Sequence, residues 1–327
     1  MNTLNKILIL TAAAMTAVSC ANEIEESSES VQDRILKAFV EKYYPEAQQT
    51  ASGLYIICSE EGSGRYAQDT SYVRVDYAIT YLNGTYSSYT SDSIAKQLGT
   101  FTYSGYYEPR IWSLRESTPG VVELLTGMRE GGSVKAIVPA TLLDEESGME
   151  ITEGDGSSKI YEITLHEVID NIDQYQFDQL ADFAETHYPA AKDSTSYGFY
   201  YVTVIDNSKE IPDINSQLNI RYVGKYLNGT VFDTNIEDTA KKYRIHNSSA
   251  EYAALTYTYK NDSSETVNEN DFVIGFNKAL YGMNYGERAV TFFYSDLGYG
   301  DDGSGNIPGF TPLFFELWVE EAVDEDE

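Results

Sequence analysis

The chain has 327 residues, too many for one small core and about right for two domains, and it carries 52 acidic against 22 basic side chains for a formal charge of −30. So acidic a surface repels phosphate backbones and excludes nucleic acid as a partner. The histidines, His166, His187 and His246, are widely separated and give no zinc-ligand spacing, so neither a metal nor a cofactor is expected.

At the start, Lys6 precedes an apolar run over residues 7–18 that ends in Ala17-Val18-Ser19-Cys20. A basic start, a short apolar stretch and small residues before a cut make residues 1–19 a secretory signal, too short to span a membrane as a mature helix. The AVSC tail resembles the bacterial lipoprotein box, with Ala17 where the box prefers Leu. That resemblance implies lipidation of Cys20, a membrane anchor, and a place in the cell envelope as an outer-membrane lipoprotein, on its periplasmic or surface face. Plain secretion with an incidental cysteine is the simpler alternative. Residues 20–31 are polar and acidic and read as a disordered tether. With Cys20 lipidated, Cys58 has no intrachain partner. It lies in the β-like run LYIIC and is expected to be a buried structural thiol.

Further along, Ile35, Phe39 and Tyr43 follow a helical spacing that ends at Tyr44-Pro45. A strand-like LYII follows, then the runs VRVDYAITY and its partner around the turn YLNGT at 81–85, where Asn-Gly is a strong hairpin signal. After a long connection come LLTGMREGGSVKAIV (124–138) and a closing strand, IYEITLHEVI. The whole series then recurs. Leu180, Phe183, Ala184 and His187 precede Tyr188-Pro189; FYYVTV follows; LNIRYVGKY leads into a second YLNGT at 226–230; ALYGMNYGERAVTFF (279–293) parallels 124–138; LFFELWVEEA closes the copy. Tyr77 and Tyr222, Gly53 and Gly198, and Tyr55 and Tyr200 all keep the spacing of the two pentapeptides. We read a duplicated unit of α+β class, an antiparallel sheet over one short helix with an extra helix at the start of each copy, over residues 32–170 and 171–327. The many tyrosines suit pleated, half-buried strands.

In the second copy, IRYVGKYLNGTVFDTN, FVIGFNKALYGMNYGERAVTFF and LGYGDDGSGNIPGFTPLFFEL follow one another. Together they resemble FKBP-type peptidyl-prolyl cis-trans isomerases, whose pattern runs V-x-Y-x-G, G-x-x-F-D, VI-x-G-[WF]-x-x-[AG]-L-x-x-M-x-x-G, Y-G-x-x-G…IP and L-x-F-x-[VL]-x-L. The resemblance covers residues 218–322. It implies two tandem FKBP-like domains and, in the second, a proline pocket. The pocket would have aromatic walls and floor from Tyr222, Phe232, Phe276 and Phe315, with Asp233 as its carboxylate. Tyr299 corresponds to the hydroxyl that bonds a substrate carbonyl, Val273 to a backbone N–H donor, and Ile307 to the flap over the pocket. One further pocket aromatic is not located, because residues 238–270 are longer and more polar than the family's segment; Tyr257 and Tyr259 are the candidates. Two other motifs in the 298–312 loop carry less. The G-x-G-x-x-G at 298–303 precedes no helix, and the acidic DDGSGN has Pro312 where a calcium loop needs Glu.

The first copy departs from the pattern. Ser87-Ser88 stand where Phe232-Asp233 stand, Val121 replaces Phe276, Leu143 or a neighbour takes the place of Tyr299, and Tyr161 replaces Phe315. It is expected to keep the fold and to lack isomerase activity, serving as spacer, dimerising face or client-binding surface. Two functions follow: a membrane-anchored isomerase acting on proline-containing polypeptides through its second copy, or a non-catalytic FKBP-like lipoprotein that binds proteins.

Overall fold

The computed structural model describes residues 28–143, 157–189, 191, 198–206, 211–259 and 272–320. Cys20 and the expected signal lie outside the described residues, as do parts of the 238–270 connection. The chain divides into two units, residues 1–45 and 46–327. In the first, helix α1 (Ser28–Tyr43) carries Phe39 against Tyr43 with ring centroids 4.9 Å apart, and Lys37 bonds Asp33 one turn back at 2.7 Å. Among the described residues no helix is long and apolar enough to cross a membrane.

The second unit holds two antiparallel sheets of matching strand order. The first is built from β1 (Gln48–Gln49), β2 (Tyr55–Glu60), β3 (Tyr72–Tyr81), β4 (Tyr86–Tyr89), β5 (Arg110–Ser113), β6 (Ser133–Val138) and β7 (Lys159–Ile169), in the order β1-β2-β6-β7-β3-β4 with β5 also on β3. The second uses β8 (Phe199–Ile205), β9 (Gln217–Tyr226), β10 (Val231–Thr234), β11 (Leu255–Thr258), β12 (Arg288–Phe293) and β13 (Leu313–Glu320), in the order β10-β9-β13-β12-β8 with β11 on β9. Apart from the two-residue β1 the strand orders coincide, and beside the hairpin so do the registers. Ile79 faces Tyr161 and Ser88 in the first sheet as Gly224 faces Phe315 and Asp233 in the second.

Each sheet lays its alternating apolar residues on one short helix. In the first copy α3 (Pro119–Leu125) contributes Val121, Leu124 and Leu125 to a core with Val73, Val75, Tyr77, Tyr161 and Leu165. The second copy's α6 (Ile274–Leu280) contributes Phe276, Ala279 and Leu280 to a core with Leu218, Ile220, Phe315 and Leu317. A glycine precedes the key residue of both helices because the strand behind leaves no room for a Cβ. One built on Gly120 would lie 2.3 Å from Val138, and one on Gly275 2.4 Å from Phe293. The other face of the second sheet is covered by α4 (Ile172–His187), whose Leu180 and Ala184 pack with Tyr200, Val290, Phe292 and Phe314. The long connections hold two short helices that the hydrophobic pattern does not show, α2 (Asp92–Leu98) and α5 (Glu237–Lys242).

Cys58 is exposed, contrary to the buried thiol expected from LYIIC. The apolar run suggests a continuous buried strand, but the β2–β6 pairing slips between Ile56 and Cys58. Beyond that irregularity the outer half of β2 faces solvent.

Candidate active site

The two YLNGT turns are alike to within 0.1 Å. Tyr226 N–H donates to Thr230 O at 3.0 Å and Gly229 N–H to Tyr226 O at 2.9 Å, against 2.9 and 2.9 Å for Tyr81–Thr85 and Gly84–Tyr81. Glycine alone takes the left-handed conformation, at φ 87° and 85°, while the Asn Oδ1 accepts the following Thr N–H at 2.9 Å in both. The loop therefore has three residues closed by a glycine bulge, rather than the two-residue turn that Asn-Gly suggests.

Just past the turn the copies diverge. The β9–β10 register shifts between Val231 and Asp233, which makes Phe232 the extra residue of a β-bulge. A bulge re-aims its side chain, and Phe232 turns onto Phe315, edge to face at 5.8 Å. Gly224 makes this possible. A Cβ there would lie 2.6 Å from the Phe232 ring and 3.1 Å from Phe315. Phe276, from the first turn of α6, meets Phe315 edge on at 5.2 Å and Tyr222 at 6.0 Å. Phe276 and Phe315 are 4% and 5% exposed and form a floor, while Phe232 and Tyr222 are half-buried above it. Perpendicular rings at these distances suit the aromatic quadrupole.

The polar edge is set by β9 and β10. The Tyr222 hydroxyl donates to Asp233 Oδ2 at 2.5 Å, and Thr234 N–H donates to Asp233 Oδ1 at 2.8 Å, so both carboxylate oxygens are engaged. Tyr222 N–H donates to Asn235 Oδ1 at 2.9 Å, fixing the strand beneath. Burial, then the bond to Asp233, pushes the Tyr222 hydroxyl well above the ordinary tyrosine range. Tyr299 is 37% exposed, and burial followed by the charge of Asp233 pushes its hydroxyl up as well. Both phenols stay protonated and able to donate at neutral pH.

Tyr299 and Ile307 lie on one loop closed on itself. Ser304 and Ile307 exchange two N–H···O bonds of 2.9 Å, and Phe310 N–H donates to Gly300 O at 2.8 Å. Ile307 is buried in the same core as Phe276 and Phe315. Val273 caps α6 and packs against that core, with its carbonyl accepting from Asn277 N–H at 3.1 Å. Tyr257 and Tyr259, the candidates for the missing aromatic, are both buried in this core. Tyr257 sits 6.1 Å from Phe272, and the Tyr259 hydroxyl donates to Tyr281 O at 2.9 Å. Sequence reasoning passed over Phe272, 5.1 Å from Phe276, and Gly224. Nothing local marks Phe272; Gly224 is the closing glycine of V-x-Y-x-G.

In the first copy the equivalent positions are closed. Ser87 is the bulge residue, Ile79 stands at the Gly224 register with its side chain fully buried, and Tyr77 Oη meets Ser88 Oγ at 3.3 Å. Trp112, at the register of Tyr257, packs tilted against Tyr77 at 4.7 Å, and the Arg110 guanidinium lies 6.0 Å over the same ring.

Residues 208–320 match the model of the family described as FKBP-type peptidyl-prolyl cis-trans isomerase. The chain is 26% identical over 257 residues to the human peptidyl-prolyl cis-trans isomerase FKBP9, covering 78% of this chain and 35% of that protein. It is 28% identical over 136 residues to the FKBP-type isomerase FkpA of Buchnera aphidicola, covering 42% of this chain and 48% of the relative. The chain thus spans half or less of these relatives. Among solved structures, FkpA from Escherichia coli aligns with a TM-score of 0.34 at 22% identity over 52% of this chain and 74% of that one. The three FKBP domains of wheat FKBP73 align at 0.30 and 15% over 84% and 96%.

Proposed function

We propose that the chain is a membrane-anchored peptidyl-prolyl cis-trans isomerase, a foldase for proline-containing polypeptides, with its active site in the second copy. The observation that carries this reading is the cluster of Tyr222, Phe232, Phe276 and Phe315 around one protonated phenol–carboxylate pair, within a segment that matches the isomerase family. The X-Pro amide has a rotational barrier of roughly 18–20 kcal/mol because twisting breaks C–N resonance. The planar amide is the more charge-separated state, so a dry aromatic floor disfavours it relative to the twisted one. Each ~1.36 kcal/mol of that difference is tenfold in rate, in both directions alike. The proline ring would sit on Phe276 and Phe315 against Phe232. Tyr299 and the Val273 N–H would hold flanking carbonyls under Ile307, and Asp233 would fix the Tyr222 hydroxyl rather than move a proton.

Exchange NMR on an X-Pro peptide tests the reading: the full chain should speed interconversion, and a rate no faster than buffer overturns it. The anchor is proposed at Cys20, which places the protein at the outer membrane. Cys20→Ala should shift it from the membrane to the soluble fraction, and an unaltered distribution refutes the anchor.

A further inference from the structure

The second copy contains three described non-glycine residues with positive φ: Asn215, Arg244 (60°) and Phe310 (57°). Left-handed backbone is unfavourable for such residues and persists where surrounding contacts over-determine it. Arg244 and Phe310 are also two of the places where the first copy touches the second. The Arg244 guanidinium donates to Tyr103 Oη at 2.8 Å and lies 5.2 Å over its ring, while Tyr72 packs edge on against Phe310 at 5.4 Å. Phe310 belongs to the loop that bears Tyr299 and Ile307.

Two further contacts reach the hairpin that carries Phe232. Asn228, in the second YLNGT turn, donates to Glu108 Oε1 at 3.2 Å. Tyr106 meets Tyr226 edge to face at 4.9 Å, and Tyr226 in turn lies 5.1 Å from Phe232 while its hydroxyl donates to Asn306 O at 3.2 Å. Tyr226 thus joins the pocket wall to the loop beside Ile307, and Tyr106 backs Tyr226. Burial, then Glu108, pushes the Tyr106 hydroxyl up to about 12, so it is neutral in this interface.

We propose that the first copy is a positioning element for the second. Its 99–109 loop and Tyr72 hold the hairpin, the Arg244 turn and the 300–311 loop in the arrangement that shapes the proline pocket. Tyr106 and Tyr103 act through Tyr226 and Arg244 and touch no substrate. This gives the degenerate copy a role other than spacer or client surface, and only its kinetic readout rests on the isomerase reading.

The test uses the full chain with Tyr106→Ala and Tyr103→Ala, and Tyr66→Ala as the control, since Tyr66 packs on Arg129 at 3.8 Å within the first copy. Two quantities are measured: kcat and KM for a Xaa-Pro tetrapeptide, and the NMR resonance of the Ile307 methyl. Losing one aromatic pair spans about three- to tenfold in rate, so Tyr106→Ala should lower kcat/KM by about that factor. Tyr103→Ala should lower it less, and both should move the Ile307 methyl while Tyr66→Ala moves neither quantity. Wild-type kcat/KM and an unmoved methyl in both interface variants overturn the proposal. If Tyr106→Ala fails to fold, Tyr103→Ala decides alone, its side chain being half exposed. If the wild-type chain lacks activity, the isomerase reading falls and the Ile307 methyl still decides the positioning role.

Discussion

Gly224 and Ile79 hold the same register position in two sheets of the same strand order, and the difference between them accounts for much of what separates the two copies. Where β9 has no side chain, Phe232 can lie across the strand onto Phe315. In β3 the Ile79 side chain occupies that place, and the bulge residue has shrunk to Ser87. The pair at the edge changes in step. Tyr222 donates to a carboxylate at 2.5 Å, whereas Tyr77 meets a serine hydroxyl at 3.3 Å. Meanwhile Trp112 and Arg110 close over Tyr77. Packing alone preserves the frame, since Gly120 and Gly275 persist in both copies for the same steric reason. Of the aromatic cluster only Phe232 and Phe276 give way, to Ser87 and Val121, while Tyr77 and Tyr161 keep rings at the positions of Tyr222 and Phe315.

Transplanting the first copy's residue should break the second most severely. In Gly224→Ile the new side chain meets Phe232 and Phe315 head on, and overpacking of this kind costs about 1–3 kcal/mol of stability. With the wall displaced, isomerase activity should fall by ~100-fold, read by exchange NMR, while the protein still melts cooperatively. Activity within a factor of about two of wild type would show that Phe232 need not lie where it does.

Asp233→Ser reproduces the other half of the difference. A hydrogen bond to a charged group contributes about 1.5–3 kcal/mol, less at an exposed carboxylate, so the loss should be roughly tenfold. It also has a pH signature. Burial and Asp233 raise the Tyr222 pKa, so the hydroxyl stays protonated through the ordinary tyrosine range near 10. Removing the carboxylate takes away one of those two causes. Tyr222 should then ionise at lower pH than in wild type, which difference absorbance of tyrosinate would detect.

The succession of strands, hairpin and short helix in each copy could be read from the chain because it rests on local pattern. Tyr222, Phe232, Phe276 and Phe315, by contrast, are singled out only through the family resemblance of residues 218–322. Alternation sets the strands, and the spacing of YLNGT to Tyr77 and Tyr222 sets the register. Other features depend on contacts distant in sequence. Nothing near Phe232 announces a bulge, and Cys58 is exposed because its strand slips against β6. The placement of Tyr106 against Tyr226 joins residues from different copies. Tyr226, read in sequence as part of a turn, packs between Tyr106 and Phe232, whereas its twin Tyr81 has Lys159 over its ring at 5.2 Å.

Tyr299→Phe probes the partly exposed phenol at the start of the 300–311 loop. It removes one hydroxyl and leaves the ring, so the expected loss is about three- to tenfold, the worth of one hydrogen bond of roughly 0.5–1.5 kcal/mol. It should appear in kcat/KM with the melting temperature unchanged.

At neutral pH a smaller effect still is expected from the interface phenols. Tyr106 and Tyr175 are pushed up to about 12, chiefly by burial, with Glu108 and Glu167 adding to the shift. Their folded pKa values exceed the unfolded value near 10. Their contribution to stability is therefore complete below about pH 10 and is lost as pH rises toward 12. Stability should be flat through neutrality and fall in that alkaline window, together with late tyrosinate absorbance. Tyrosines that all titrate near pH 10 without loss of structure would contradict it.

The smallest effect belongs to Tyr77→Phe, and its smallness is informative. Tyr77 is the register twin of Tyr222, and its ring is buried between Trp112 and the first copy's core. Its hydroxyl loses only a long contact to Ser88, so stability should change by no more than about 0.5 kcal/mol. Activity should remain within a factor of about two. Tyr222→Phe, the same substitution in the second copy, removes a 2.5 Å bond to Asp233 and should lower activity several-fold. If the two substitutions cost the same, the copies divide the chemistry between them. If only Tyr222→Phe matters, catalysis resides in the copy that kept Gly224.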